Sequence, residues 1–109
     1  MTLDEFLNTN RAKKNALYRT FNRIICKDGF TFSIQCGSLF YSEPRREFKA
    51  AEKYSAFELG FPSHADELIS EYAEDEQKPT RTVYAYVPRE VVEQLINNHG
   101  GIKNDYSPF

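Results

Sequence analysis

Phe30-Thr31-Phe32-Ser33-Ile34-Gln35-Cys36, residues 30–36, alternates apolar and polar side chains without a break. Successive strand residues point to opposite faces, so this pattern predicts a strand with one buried and one wet face. Lys27-Asp28-Gly29 before it reads as a turn, with Gly29 supplying the freedom a sharp reversal needs. Gly37-Ser38 after it reads as a two-residue hairpin turn, and Leu39-Phe40-Tyr41 as the start of a return strand that Pro44 ends. Glu43 to Lys53 is rich in charge and reads as a loop.

Towards the C-terminus, Tyr54 to Phe61 reads as a third strand with Phe57, Leu59 and Phe61 on one side, stopped by Pro62. Ser63 is expected to cap a helix whose third residue is Asp66 and whose apolar face is Leu68, Ile69 and Tyr72. Glu74 to Pro79 is a polar loop, and Thr80 to Val87, rich in Val, Thr and Tyr, a fourth strand. Pro88 suits the first position of a last helix with Val91, Val92, Leu95 and Ile96 as its buried stripe; His99-Gly100-Gly101 ends it. At the other end, Thr2 and Glu5 fit a capping box. Leu3, Phe6, Leu7, Leu17, Phe21, Ile24 and Ile25 share one helical arc. Asn8-Thr9-Asn10 interrupts that arc, which predicts a short helix, a kink and a longer helix from about Arg11 to Ile25.

The order is therefore α–β–β–β–α–β–α. It predicts an α+β fold: a mainly antiparallel sheet of about four strands, with helices packed on one face and Tyr84 and Tyr86 offered from the other. The 109 residues suit a single domain, residues 1–103, followed by a tail at 104–109. There is no apolar run of about 18 residues, which argues against a membrane helix. The start, with acids before bases and no apolar segment, does not read as a secretory signal. Cys26 and Cys36 make no disulfide framework, so a reducing cytoplasm is the expected setting.

Net charge is −2 but unevenly placed: residues 1–53 carry +4 and residues 54–109 carry −6. From Glu58 to Glu76 there are seven acids and no lysine or arginine. The basic side chains Arg11, Lys13, Lys14, Arg19, Arg23 and Lys27 could meet phosphates, although a solvated helix face explains them as well. The acids could occupy a basic groove as a phosphate row does, although most acidic helices serve only solubility.

No catalytic or cofactor motif stands out. Cys26, Cys36, His64 and His99 are enough ligands for one zinc, but nine residues separate the cysteines and no close pair exists, so no metal or cofactor is expected. His99 at a helix C-terminus suits a cationic ring facing the dipole. The five glycines at 29, 37, 60, 100 and 101 form no phosphate-binding loop. The string from Lys27 to Ile34 looks somewhat like the base-stacking strand of RNA-recognition domains, but the element order differs and a core face accounts for Phe30 and Phe32.

Gly60-Phe61-Pro62-Ser63, Tyr72-Ala73-Glu74-Asp75, Pro79-Thr80, Thr82-Val83-Tyr84, Tyr86-Val87-Pro88, Glu90-Val91-Val92-Glu93 and His99-Gly100-Gly101-Ile102 form a pattern, to which Asp28 to Gln35 adds. It resembles a family of small proteins of phages and prophages. That resemblance implies a host-takeover or anti-defence protein, anti-CRISPR inhibitors being a prominent class. Such a protein would act in the host cytoplasm without catalysis, binding a CRISPR-Cas effector complex or another host defence protein and blocking its DNA-binding surface. On this reading Glu67, Glu71, Glu74, Asp75 and Glu76 meet basic residues of the partner, with Tyr84 or Tyr86 as an aromatic anchor. The rival reading is a nucleic-acid-binding accessory protein using the basic first helix; a third is an enzyme whose site is assembled across the sequence.

Overall fold

The computed structural model describes residues 1–10 and 21–103; the basic residues Arg11, Lys13, Lys14 and Arg19 and the tail at 104–109 lie outside them. Among the described residues the chain forms α1 (Leu3–Thr9), β1 (Ile24–Ile25), β2 (Thr31–Gln35), β3 (Ala56–Gly60), β4 (Val83–Pro88) and α2 (Arg89–Asn98), with 3₁₀ turns at Ala51–Lys53 and Glu67–Tyr72. The four strands make one sheet in the order β1-β2-β3-β4, antiparallel throughout. This is the expected α+β class.

Paired residues share a face, so Ile24 and Phe32, then Ile34, Leu59 and Tyr84, line up on the inner side. They join Leu3, Phe6 and Leu7 of α1, Ile69, and Val92, Leu95 and Ile96 of α2 in one buried cluster. Each fully buried large aliphatic or aromatic side chain contributes about 1.5–3 kcal/mol. Ser33, Gln35 and Glu58 lie on the outer side and are partly exposed.

The capping box forms: the Glu5 amide donates to Thr2 Oγ1 at 3.1 Å and the Thr2 amide to Glu5 Oε1 at 2.7 Å. The helix stops at Asn10, as expected. Residues 11–20 of the longer helix expected from about Arg11 to Ile25 lie outside the described residues, and its expected end is not helical. Ile24 and Ile25 are β1, a β-branched pair that finds β2 across the 27–29 turn. There the Asp28 carboxylate accepts from the Phe30 amide at 2.9 Å, and Gly29 takes φ 97°.

The hairpin expected at Gly37-Ser38 is absent. On one edge of β2, β3 takes Ser33, Ile34 and Gln35, the residues beside the turn that a return strand at 39–41 would pair with, and on the other edge β1 takes Thr31 and Phe32. Residues 37–42 instead close as a loop around Ser42, whose Oγ accepts from the Gly37 amide at 3.0 Å and donates to the Gly37 carbonyl at 3.2 Å. The chain then returns to bridge Glu43 to Ala56.

Ser63 does not cap the next helix. It extends the pairing with β2, donating its amide to the Thr31 carbonyl at 2.8 Å and accepting the Thr31 amide on Oγ at 3.0 Å. Asp66 is the cap, accepting from the Leu68 amide at 3.0 Å, and the segment that follows is a single 3₁₀ stretch. Phe61 is not on the Phe57–Leu59 side. It turns out of the strand at φ 48° and is half exposed.

Arg89, the first residue of α2, ties these pieces together. Nη1 reaches Asp4 Oδ1 at 2.8 Å, Nη2 the carbonyls of Ala51 and Tyr54 at 2.8 and 2.6 Å, and Nε the Tyr54 carbonyl at 3.0 Å. Arg89→Ala strands those acceptors, most of which are shielded from water, and should cost about 2–3 kcal/mol in urea unfolding. Arg89→Lys should recover less than half, because an ammonium cannot reproduce the planar fork. Full recovery by lysine would show that charge alone matters.

Candidate functional site

β3 and β4 fall out of step in mid-ladder. Leu59 faces Tyr84 and Phe57 faces Val87, so Ala85 and Tyr86 both stand opposite Glu58. Such a β-bulge re-aims the side chains that follow it. Without it, Tyr84 and Tyr86 would share a face. With it, Tyr84 points inward and is 1% exposed, whereas Tyr86 points out and is 41% exposed. Tyr84 is therefore a core residue and not an aromatic anchor. Its hydroxyl donates to the Pro79 carbonyl at 2.5 Å, and burial raises its pKa.

Tyr86 takes φ 54°, a left-handed conformation that costs a bulky residue about 1–2 kcal/mol. Its amide donates to the Tyr41 carbonyl at 3.1 Å, and the Tyr41 amide donates to Glu58 Oε1 at 3.0 Å. The Tyr41 backbone is thus held from both sides over the bulge. The two rings sit 5.8 Å apart, tilted by 45°, with the Arg45 guanidinium 5.4 Å from the Tyr41 ring centre. This surface was only half legible in sequence. Tyr86 is an expected anchor, but Tyr41 and Arg45 belonged to a supposed return strand and loop, and no local signal brings them to Tyr86.

The acidic stretch divides into two groups. Glu58 holds Tyr41, Asp66 caps the 3₁₀ helix, and Asp75 is half-buried, its Oδ1 accepting from the Gln77 amide at 3.0 Å. Glu67, Glu71, Glu74 and Glu76 are exposed, and among the described residues none of them forms an ion pair. Glu67 and Glu76 flank a cleft of about 160 Å³, lined also by Ala65, Asp66, Ser70, Ala73, Pro79 and Tyr84. The acids adjoin β4: Ala73 bridges to Tyr84, and the Glu74 amide donates to the Val83 carbonyl at 3.0 Å.

Of the basic residues read as one helix face, Arg23 and Lys27 are described. Arg23 spans to β2 and beyond: Nε donates to Thr31 Oγ1 at 3.1 Å, and Nη2 donates to the carbonyls of Thr31 and Phe61. Burial lowers its pKa. Lys27 is exposed in the 27–29 turn.

His99 closes α2 and lies flat on Phe30, centroids 3.9 Å apart and planes within 8°. Nδ1 is 2.6 Å from Asp28 Oδ2 and Nε2 is 2.8 Å from Asp66 Oδ2. Carboxylates only accept, so both ring nitrogens must donate and the ring is an imidazolium. Each aspartate uses its other oxygen to organise a backbone turn, accepting from Phe30 or Leu68. One ring therefore joins the β1–β2 turn, the end of α2 and the start of the 3₁₀ helix. Ser63 Oγ and His64 Nδ1 are 3.1 Å apart, but among the described residues no carboxylate orients that ring.

Cys26 and Cys36 are buried, and burial pushes the Cys26 thiol up to about 11. Among the described residues no three His, Cys, Asp or Glu converge to hold a metal ion, and no helix is long and apolar enough to cross a membrane. Comparison with protein-family models, with curated proteins and with solved structures finds no match.

Burial alone would lower the His99 pKa, but the hydrogen bonds to Asp66 and Asp28 outweigh it and raise the pKa above its ordinary value. A raised folded-state pKa gives stabilisation that is complete below the unfolded value of about 6.5 and is lost as pH climbs through the folded value. Urea midpoints measured from mildly acidic to mildly alkaline pH should fall over that window in the parent. They should stay flatter in His99→Gln, and parallel profiles would refute the imidazolium assignment.

Proposed function

We propose that this chain is a protein-binding inhibitor that acts by occupying a partner's surface, without catalysis. The observation that carries this reading is Tyr86: an exposed tyrosine held in a strained left-handed conformation, its amide locked to the Tyr41 carbonyl. Strain of this kind persists only where the surroundings over-determine it, and it clusters at functional surfaces. Tyrosines beside an arginine are also the side chains most enriched at interface hot spots.

The exposed acids Glu67, Glu71, Glu74 and Glu76 border the same strand and favour a basic partner surface. The resemblance to small phage and prophage proteins gives this reading its biological form. We take it to be a stoichiometric inhibitor of a host defence complex, of the anti-CRISPR kind, acting in the host cytoplasm where a nucleic-acid groove is the basic surface to be blocked. The competing nucleic-acid reading is weakened at Arg23, whose guanidinium is engaged by Thr31 and Phe61.

Tyr86→Gly and Tyr86→Ala both remove the ring, but only glycine accepts φ 54° without strain. Both should abolish protection of a targeted phage in cells carrying an active CRISPR-Cas system, and the glycine variant should be the more stable by about 1 kcal/mol in thermal melting. If the parent protects against no defence system, or Tyr86→Gly protects as well as the parent, the reading fails.

Glu71→Lys with Glu74→Lys should leave thermal melting unchanged or slightly raised, since it relieves repulsion among neighbouring acids. The same pair should weaken partner binding by several kcal/mol if charge is reversed at the interface. Binding equal to the parent would reduce these acids to solvated charge.

A further inference from the structure

We infer that the cleft between the 3₁₀ helix Glu67–Tyr72 and the loop at 74–80 receives one basic side chain, a lysine or arginine presented by a protein partner. This deepens the protein-binding reading above and rests on it.

Size is the first argument. At about 160 Å³ the cleft is smaller than the roughly 300–1,000 Å³ of small-molecule sites, yet several times the share of about 30 Å³ that one water takes in the liquid. It has room for one long side chain. Its walls are the second. Ala65, Ala73, Pro79 and the almost wholly buried Tyr84 make the lining mostly apolar. Its charged lining residues are Glu67 and Glu76, both exposed and, among the described residues, without ion pairs, together with Asp66. The Asp66 carboxylate is already met by His99 and the Leu68 amide.

Lysine and arginine combine an apolar stem with a cationic head, and they match this arrangement atom class by atom class. A purely apolar occupant would desolvate two carboxylates with nothing in return. A phosphate would be repelled by them.

The cleft is also held open in advance. The Tyr84 hydroxyl ties Pro79 at 2.5 Å, the Asp75 amide donates to Thr82 Oγ1 at 3.1 Å, and Ser70 Oγ donates to the Glu67 carbonyl at 3.0 Å. A preformed site spends little binding energy on ordering.

The test is a titration of the ¹⁵N-labelled full chain with Nα-acetyl-arginine amide, Nα-acetyl-lysine amide and the apolar control Nα-acetyl-norleucine amide, followed by amide shifts. The basic probes should give saturable, salt-sensitive shifts confined to Ala65, Ser70, Ala73, Glu76 and their neighbours, and bind about fivefold or more tightly than norleucine amide. Glu67→Gln with Glu76→Gln, both on the exposed rim, should remove that preference. Ala65→Leu, which fills the cleft from its mouth, should abolish the shifts. Equal binding of all three probes, shifts scattered elsewhere, or unchanged binding by either folded variant would overturn the assignment. Tyr86→Gly should bind the basic probes as the parent does. Failure of the probes beside intact Tyr86-dependent inhibition therefore refutes the cleft alone, and the reverse result refutes the inhibitor reading alone.

Discussion

The guanidinium of Arg89 is the constraint on which the rest of the fold depends. Strand β4 ends and α2 begins at this residue, and its planar group satisfies the Asp4 carboxylate and the carbonyls of Ala51 and Tyr54 at once. Carbonyls left without partners beneath a helix would each cost free energy, and one rigid fork meets two of them. The group also lies 5.3 Å from the Phe57 ring centre, so α1, the 51–53 turn, β3 and α2 converge on a single side chain. With α2 set in this way, Val92, Leu95 and Ile96 reach the sheet and His99 is carried to its two aspartates.

His99 does at the far end of α2 what Arg89 does at its start. Both are cations that use more than one nitrogen to join segments distant in sequence. They differ in what can undo them. A guanidinium keeps its proton throughout the physiological range, whereas an imidazolium loses one when its surroundings no longer favour the charge. The 3₁₀ helix that bears Glu67 and Glu71 is thus moored through Asp66 to a titratable group, while the Tyr41–Tyr86 surface is moored through backbone hydrogen bonds that do not titrate near neutral pH.

The acids of the 58–76 stretch show why charge density alone misleads about a surface. Counted along the chain they form one run; in the fold they divide by task. Glu58 organises Tyr41, Asp66 caps and binds His99, and Asp75 shapes a loop, which leaves Glu67, Glu71, Glu74 and Glu76 free to face outward. A carboxylate that accepts backbone hydrogen bonds is part of the scaffold, and its charge is largely spent there.

Local physics was enough for much of this molecule. The Thr2–Glu5 box, the alternating strand at 30–36, the glycine end of the last helix and its apolar stripe all depend on neighbours within four residues, so the sequence by itself determined them, and with them the α+β class; Pro88, expected as the first residue of that helix, instead ends β4 and caps it, so α2 starts at Arg89. The features that define the candidate site depend on partners far along the chain. Whether Gly37-Ser38 makes a hairpin is decided by β3, which pairs with β2 at Ser33 to Gln35. Whether Ile24 and Ile25 are helix or strand is decided by β2. Alternation put Tyr84 and Tyr86 on one face, but a one-residue bulge against Glu58 sent the first into the core and the second into solvent. Side chains in a strand repeat every two residues, so a single inserted position reverses everything beyond it. Only the tertiary pairing of β3 with β4 could decide where that insertion falls.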